Sequence, residues 1–396
     1  MQNVKRVPKI RFSGFEELWY ELKLGEVSTF YNGRAYKQEE LLNKGTYPVL
    51  RVGNLFTNEN WYYSNLELEA NKYIKHGDLI YAWSASFGPR IWNGDKVIYH
   101  YHIWKVDINE SEVNKGFFYQ LLDNETAKMK SMSSNGFALL HITKNTIENW
   151  KSFFPSLPEQ QKIAAFLSAV DEKIQQLTQK KHLLEQYKKG LMQKIFNREI
   201  RFKDESGRDF PEWEYRRFAD VGEIVGGGTP DTFNDKYWNG EILWFTPTEI
   251  KQKYLSKSKR TITKEGLKKS SAKVLPKGTI LLSTRATIGD VAIALEECST
   301  NQGFQNIIVS ANNDNEFIYY WILNNKKEFI TRSSGSTFLE ISKAEINKIR
   351  IQLPSKNEQK LIAVFLSAID NKIENIRFEL ENTYQWKKGL LQQMFV

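Results

Sequence analysis

Residues Pro155 to Phe196 read PSLPEQQKIAAFLSAVDEKIQQLTQKKHLLEQYKKGLMQKIF, and residues Pro354 to Phe395 read PSKNEQKLIAVFLSAIDNKIENIRFELENTYQWKKGLLQQMF. The two stretches align without a gap at a constant offset of 199 residues, with 20 identities in 42 positions. A match of this length within one chain is an internal duplication, and the rest of the sequence is read around it. Ser156 with Glu159, and Ser355 with Glu358, have the S-x-x-E spacing of a capping box just after a proline, so a helix is predicted to begin at each. Downstream, Ile163, Leu167, Val170, Ile174 and Leu177 alternate four and three residues apart, as do Ile362, Leu366, Ile369, Ile373 and Ile376. The spacing continues through Lys181, Leu184 and Lys188 in one copy and through Leu380, Thr383 and Lys387 in the other. Sustained this long, it is a coiled-coil seam rather than a general amphipathic face. At 1.5 Å per residue each helix runs to about 60 Å.

The duplication extends to what precedes each helix. Residues 1–153 form a first globular unit, 154–197 its helix, 198–352 a second globular unit and 353–396 the second helix. Arg11, Phe12, Phe15 and Trp19 in the first lead-in segment have echoes in Arg201, Phe202, Phe210 and Trp213. YPVLRVGNL from Tyr47, GDLIYAWSASFGPRIW from Gly77 and VIYHYHIWKV from Val97 are rich in β-branched and aromatic residues and read as strands. NKGFFYQLLDNETAKMKSM from Asn114 has helical spacing. EILWFTPTEI and KGTILLSTRATIGDVAI occupy the matching places in the second unit, and SSGSTFLEISKAEI from Ser333 matches SSNGFALLHITKNTI from Ser133. The predicted fold is α+β: two mixed α/β heads plus two long helices that pair within the chain as a pseudo-twofold antiparallel coiled coil. Gly190 and Gly389 interrupt otherwise strong helices at the same point, which predicts close backbone approach there by another element, either the opposite head or a partner subunit.

Composition narrows the function. The 396 residues carry a net charge of +9, and the stretch Lys251–Lys277 holds ten Lys or Arg against one acid, Glu265. The excess is therefore concentrated in the second head, and means either a polyanion partner or a lysine-rich solvated surface. The N-terminal stretch lacks an apolar signal core and no membrane-length apolar run occurs, so a cytoplasmic protein with no membrane partner is expected. A single cysteine, Cys298, excludes an internal disulfide and a Cys-rich zinc site. No P-loop, H-E-x-x-H or Asn-Pro-Pro-aromatic motif occurs, so no catalytic residue, metal or cofactor is assigned to this chain. Pro230-Asp231 with Glu249-Ile250-Lys251 imitates a PD…ExK nuclease core, but the spacing is permissive and Asp231 reads equally as a turn residue. A nuclease or other enzyme acting alone and an RNA-binding or purely structural scaffold are the competing readings. Cleavage assays on the isolated chain and duplex-against-RNA competition separate them.

Two different heads on a paired-helix spacer suit a reader of two short sequences on one duplex. The doubled PxxxEQxxIAxFLSAxDxKI and KKGL elements, the repeated RF lead-in, and GGGTP, SSAKVLPKGTILLSTRATIGDVAI and TNQGFQN in the second head resemble the specificity (S) subunit of Type I restriction-modification systems. The resemblance implies that each head is a target recognition domain for one half of an asymmetric split site on double-stranded DNA. It implies that the helices set the gap, and that the chain is noncatalytic. Its expected partners are two modification (adenine methyltransferase) subunits and two ATP-dependent restriction subunits. S-adenosylmethionine, ATP and Mg²⁺ belong to those partners. The polar seam positions Lys181, Lys188, Thr383 and Lys387 are expected docking points.

Base reading needs Arg for guanine, Asn or Gln for adenine, and hydroxyls for either, whereas Lys to phosphate positions without specifying. In the second head Thr284, Arg285, Thr287, Asn301 and Gln302 have that chemistry, with Lys257, Lys259, Arg260, Lys268 and Lys269 as phosphate candidates. In the first head the base-reading candidates are Arg34, Tyr36, Arg51, Asn54, Ser84, Ser86 and Arg90, and Lys37 is a phosphate candidate. His100 and His102 alternate on a predicted strand and lack a third metal ligand, so they either read bases or edge the core. Trp83 is either a wedge or a core residue.

Overall fold

A computed structural model describes residues 7–396 apart from 57, 85–86, 133–141 and 336–338. Contacts divide the chain into unit 1, residues 1–179 with 378–396, and unit 2, residues 180–377. Each head thus takes half of each long helix. The first long helix, Leu157–Phe196, and the second, Lys356–Met394, run unbroken, as the 4–3 spacing predicts.

Among its described residues head 1 holds three sheets. Tyr20–Lys23 pairs with Lys151–Phe154. Ser28–Asn32, Ile103–Ile108, Leu79–Ala82 and Gly88–Ile91 form an antiparallel sheet in that order. Tyr62–Ser64, Tyr47–Leu50, Val97–Tyr99 and Tyr73–Ile74 form the third, in which Tyr47–Leu50 runs parallel to Val97–Tyr99. Head 2 repeats this plan. Glu214–Arg217 pairs with Arg350–Leu353. Gly222–Gly226, Phe304–Val309, Ile280–Ser283 and Val291–Ala294 form the main sheet, extended by Tyr254–Leu255. Trp238–Phe245 runs parallel to Cys298–Thr300 and antiparallel to Arg260–Ile262. The Ser133 and Ser333 segments fall partly outside the described residues, yet Thr143 and Ser342 each cap the short helix that follows them.

One predicted strand divides. VIYHYHIWKV is two strands, Val97–Tyr99 and Ile103–Ile108, and they belong to different sheets. His100, Tyr101 and His102 are the turn that carries the chain between them. In head 2 the same crossing is made by Asn301, Gln302 and Gly303.

The helices are part of the head cores. In unit 1, Ile163, Leu167, Val170 and Ile174 share one apolar cluster with Met394, Phe395, Trp19 and Phe117, and the Phe117 and Phe395 rings stack at 5.5 Å. In unit 2, Met192, Ile195 and Phe196 share another with Ile362, Leu366, Trp213 and Phe317. Leu177, Ile369 and Ile376 are buried as seam residues should be, and Ile373 is half-buried. In unit 1 Lys387 pairs with Asp171 at 2.6 Å, and in unit 2 Lys188 pairs with Asp370 at 2.5 Å. Both contacts oppose the N-terminal half of one helix to the C-terminal half of the other, so the pairing is antiparallel. They also engage two of the expected docking points within the chain. Lys188 and Lys387 are only 16% and 12% exposed, and their ammonium groups are spent inside the seam.

Two further expectations change. The capping-box glutamates do not reach back to their own helix ends. Glu159 takes a two-point ion pair from Arg11, at 2.7 Å on each oxygen, and Glu358 takes the same from Arg201 at 3.2 and 3.0 Å. Gln160 and Gln359, one residue on, instead accept the Asn114 and Asp314 backbone N–H groups at the start of the preceding helices, Lys115–Met132 and Asn315–Asn324. Nor does any element of the chain itself crowd the helix glycines: a Cβ built on Gly190 meets nothing within 4 Å, and on Gly389 only the far end of Gln393.

Candidate nucleic-acid interface

In each head the crossing turn between the two larger sheets gathers the loops beside it. In head 1 the Trp83 N–H donates to the His102 carbonyl at 3.1 Å, the His100 N–H to Leu50 at 2.9 Å and the Arg34 N–H to Tyr99 at 3.0 Å. In head 2 the Thr284 N–H donates to Gly303 at 2.8 Å, the Asn301 N–H to Phe245 at 3.0 Å and the Gly228 N–H to Thr300 at 2.8 Å. Four loops therefore converge at equivalent places, and nearly all base-reading candidates lie on them. The chemistry differs between heads: His100, Tyr101 and His102 stand where Asn301, Gln302 and Gly303 stand.

Head 1 presents an aromatic cluster. Trp83 stacks on Trp104 at 5.7 Å, and its indole N–H donates to the Tyr101 carbonyl at 2.8 Å. Its ring meets His102 at 5.1 Å, and the His100 and His102 rings are 4.9 Å apart. Trp83 is thereby a partly buried packing residue. Burial, with lesser contributions from His102 and Arg51, holds the His100 pKa down at about 4. At neutral pH the ring is an uncharged donor and acceptor, suited to a base edge rather than a phosphate. Between about pH 6.5 and 4 the unfolded chain takes a proton at His100 that the folded head refuses. Stability from this residue is complete above the upper value and lost as pH falls through the window. Thermal melts of His100→Gln are expected to decline less steeply over that interval than those of the natural chain.

Several polar candidates are already engaged. Arg34 makes a two-point pair with Glu40, at 2.9 and 2.7 Å, and leans over Tyr36. Arg51 lies 4.3 Å from the centre of the Tyr62 ring. Asn54 holds its own loop: its oxygen accepts the Arg51 N–H at 3.2 Å, and its amide donates to Asn58 and Asn60 at 3.0 Å. Arg90 donates to the Pro89 carbonyl and covers Phe56 at 5.2 Å. Ser84 is half-buried beside the turn, Lys37 is exposed, and Ser86 lies outside the described residues.

In head 2, Thr284 is buried and its hydroxyl donates to the Gly303 carbonyl at 3.1 Å, so it offers nothing to a groove. Thr287 is tied to Ser283 at 3.0 Å. Arg285 is the exposed tip of its loop, steadied by Glu340 at 2.8 Å. Asn301 accepts the Gly303 N–H at 2.9 Å, while exposed Gln302 accepts from Thr229. Two glycines of the run are dictated by this packing, because a Cβ on Gly227 would overlap the Asn301 carbonyl and one on Gly228 the Ala272 backbone. Lys257, Lys259, Lys268 and Lys269 are exposed along the basic stretch, and Arg260 lies flat over Trp238 at 3.4 Å. Lys253 is the exception: it is half-buried and bonded to Glu316, Tyr320 and Ser367. Glu249 accepts the N–H and hydroxyl of Thr246, both at 2.8 Å, and the Lys259 N–H at 2.7 Å. Asp231 accepts the Phe233 N–H at 3.0 Å. The nuclease look-alike is thus a pair of loop-shaping carboxylates. Among the described residues, no helix is long and apolar enough to cross a membrane.

Comparison with known proteins agrees with this architecture. The specificity subunit of the Type I restriction enzyme MjaIX from Methanocaldococcus jannaschii is 40% identical over 207 residues, 51% of this chain and 48% of that protein. The MjaVIII specificity subunit from the same organism is 26% identical over 400 residues, covering 95% of this chain and 91% of its own. The crystal structure of the Type I restriction-modification S subunit from M. genitalium superposes with a TM-score of 0.63 over 98% of this chain and 99% of that one, at 14% identity. Residues 16–186 and 211–383 each match the Type I restriction modification DNA specificity domain, and with both heads and most of both helices so covered, the chain belongs to that family.

Proposed function

We propose that this chain is the DNA-reading, noncatalytic subunit of a Type I restriction-modification complex. Head 1 reads one half of an asymmetric bipartite site and head 2 the other. The paired helices set the gap, and adenine methyltransferase subunits, with ATP-driven restriction subunits, assemble on the chain. S-adenosylmethionine, ATP and Mg²⁺ serve those partners. The observation that carries this reading is that two heads of one topology place different side chains at the same crossing turn, His100-Tyr101-His102 in one and Asn301-Gln302-Gly303 in the other. Heads built alike and chemically unlike at their loop tips suit the reading of two different sequences.

Methylation mapping of a host that carries the chain and its modification subunits is expected to return one two-part motif with a fixed gap. Inserting one heptad after Gln175 and one after Glu374 lengthens the helices by about 10 Å. The gap is then expected to grow by about three base pairs, with both half-sites kept. An unchanged gap would end the ruler reading.

A further inference from the structure

Head 2 holds a phenylalanine ring out in water on a turn that is braced from both sides. Phe233 is 95% exposed. It sits between the glycine run and strand Trp238–Phe245, and the backbone around it is tied down. The Phe233 N–H donates to Asp231 Oδ1 at 3.0 Å, the Tyr237 N–H donates to the Asn234 carbonyl at 3.0 Å, and the Trp238 indole N–H donates to the Asp231 carbonyl at 3.0 Å. The turn is then fastened to the basic stretch. Thr263 donates its N–H to the Tyr237 carbonyl at 3.0 Å and its hydroxyl to the Lys236 carbonyl at 2.8 Å, and the Arg260 guanidinium covers Trp238. On the other side Thr229 donates to Gln302 in the crossing turn. One rigid segment therefore joins the recognition loops to the cationic strand, with an apolar ring at its tip.

Leaving a phenylalanine in water forgoes the usual gain from burying it, and a slack loop would fold the ring down. This turn is held against that collapse. Its neighbours Thr232, Asn234 and Asp235 are polar, whereas the centre of a protein-docking surface would set further apolar groups around the ring. A lone ring at the tip of a turn fastened to a cationic strand suits a duplex: the cations of that strand take phosphates, and the ring takes the face of a base or opens a base step.

We propose that Phe233 is a DNA contact of head 2, its ring entering a groove and wedging against one base step while Arg260 and Lys259 hold flanking phosphates. The inference rests on the chain being a DNA-specificity subunit. Among the described residues head 1 lacks the feature, since its equivalent loop turns Tyr36 inward to stack near His100 at 6.5 Å. The effect therefore belongs to one half-site.

The test uses the full chain assembled with its modification subunits and duplexes in which 2-aminopurine is stepped through the half-site read by head 2. The natural complex is expected to change the fluorescence at one step. Phe233→Ala is expected to bind about tenfold more weakly and to lose that signal. Its discrimination at the other half-site and its melting temperature should not move, and Phe233→Trp should retain the signal. Natural affinity and an unaltered fluorescence profile in Phe233→Ala overturn the wedge while leaving the DNA-reading role standing, provided the natural complex still prefers its site over a scrambled one. A natural complex without that preference overturns both. Loss of the modification subunits from Phe233→Ala also overturns the proposal, because the ring would then be a protein contact.

Discussion

Alanine at Glu159 is expected to lower the unfolding free energy of unit 1 by about 3 kcal/mol or more, because it strands a charge that the fold has taken out of water. The carboxylate is buried and holds Arg11 at two points, and among the described residues that guanidinium otherwise donates to the Glu17 carbonyl. Glu358→Ala removes the equivalent carboxylate from unit 2, but Arg201 keeps Glu212 and the carbonyls of Phe210 and Pro211. Its cost is expected to be smaller, about 2 kcal/mol. The ordering follows from the partners left behind. Urea titrations of the two variants, with Arg11→Ala/Glu159→Ala completing a double-mutant cycle, measure it. The double variant should be less damaged than the sum of its singles, since it leaves no orphan charge. Equal and small losses at Glu159 and Glu358 would show that the lead-in segments are not clamped by these pairs.

Gly227→Ala is the second large effect. The added methyl would overlap the Asn301 carbonyl, in the turn that presents Asn301 and Gln302. Backbone cannot yield there as a flexible side chain would, so an overpacking cost of about 1–3 kcal/mol is expected. The more telling result concerns recognition. With the turn displaced, discrimination at the half-site of head 2 should fall at least about tenfold, while discrimination at the other half-site persists. Binding to duplexes with one half scrambled at a time reads both. Gly190→Ala is the matched control: nothing lies within 4 Å of its added methyl, so it should stabilise the helix by about 1 kcal/mol. A Gly227→Ala complex that still discriminates at both half-sites would remove this turn from base reading.

What the sequence shows of this molecule is what side-chain periodicity and repetition encode. The seam from Ile163 to Leu177 and from Ile362 to Ile376 is legible because helical geometry brings positions three and four apart onto one face. The equivalence of the loops around Ser84 and Arg285 is legible because the duplication preserved their distance from the helices. Features decided by distant partners are not. The S-x-x-E spacing at Ser156 is a sound local rule, but the Glu159 carboxylate finds a stronger donor in Arg11, 148 residues away in the chain. Its reappearance in both copies alongside a repeated arginine was the available signal. The break at His100 escapes because alternation continues through it, and only the hydrogen-bond ladders assign its two sides to different sheets. Thr284 and Arg285 look equally suited to a groove, yet one is buried and the other is the loop's tip. Phe233 is indistinguishable by type from the phenylalanines of the core.

The seam contacts Asp171–Lys387 and Lys188–Asp370 have a genetic side. Each repeat contributes one acid and one base, and all four residues lie in the helices. A single ancestral repeat thus already encoded both members of the contact, and duplication produced a matched pair without a new mutation. Replacing one head while keeping both helices would leave that matching untouched, because neither ion pair draws on a head residue.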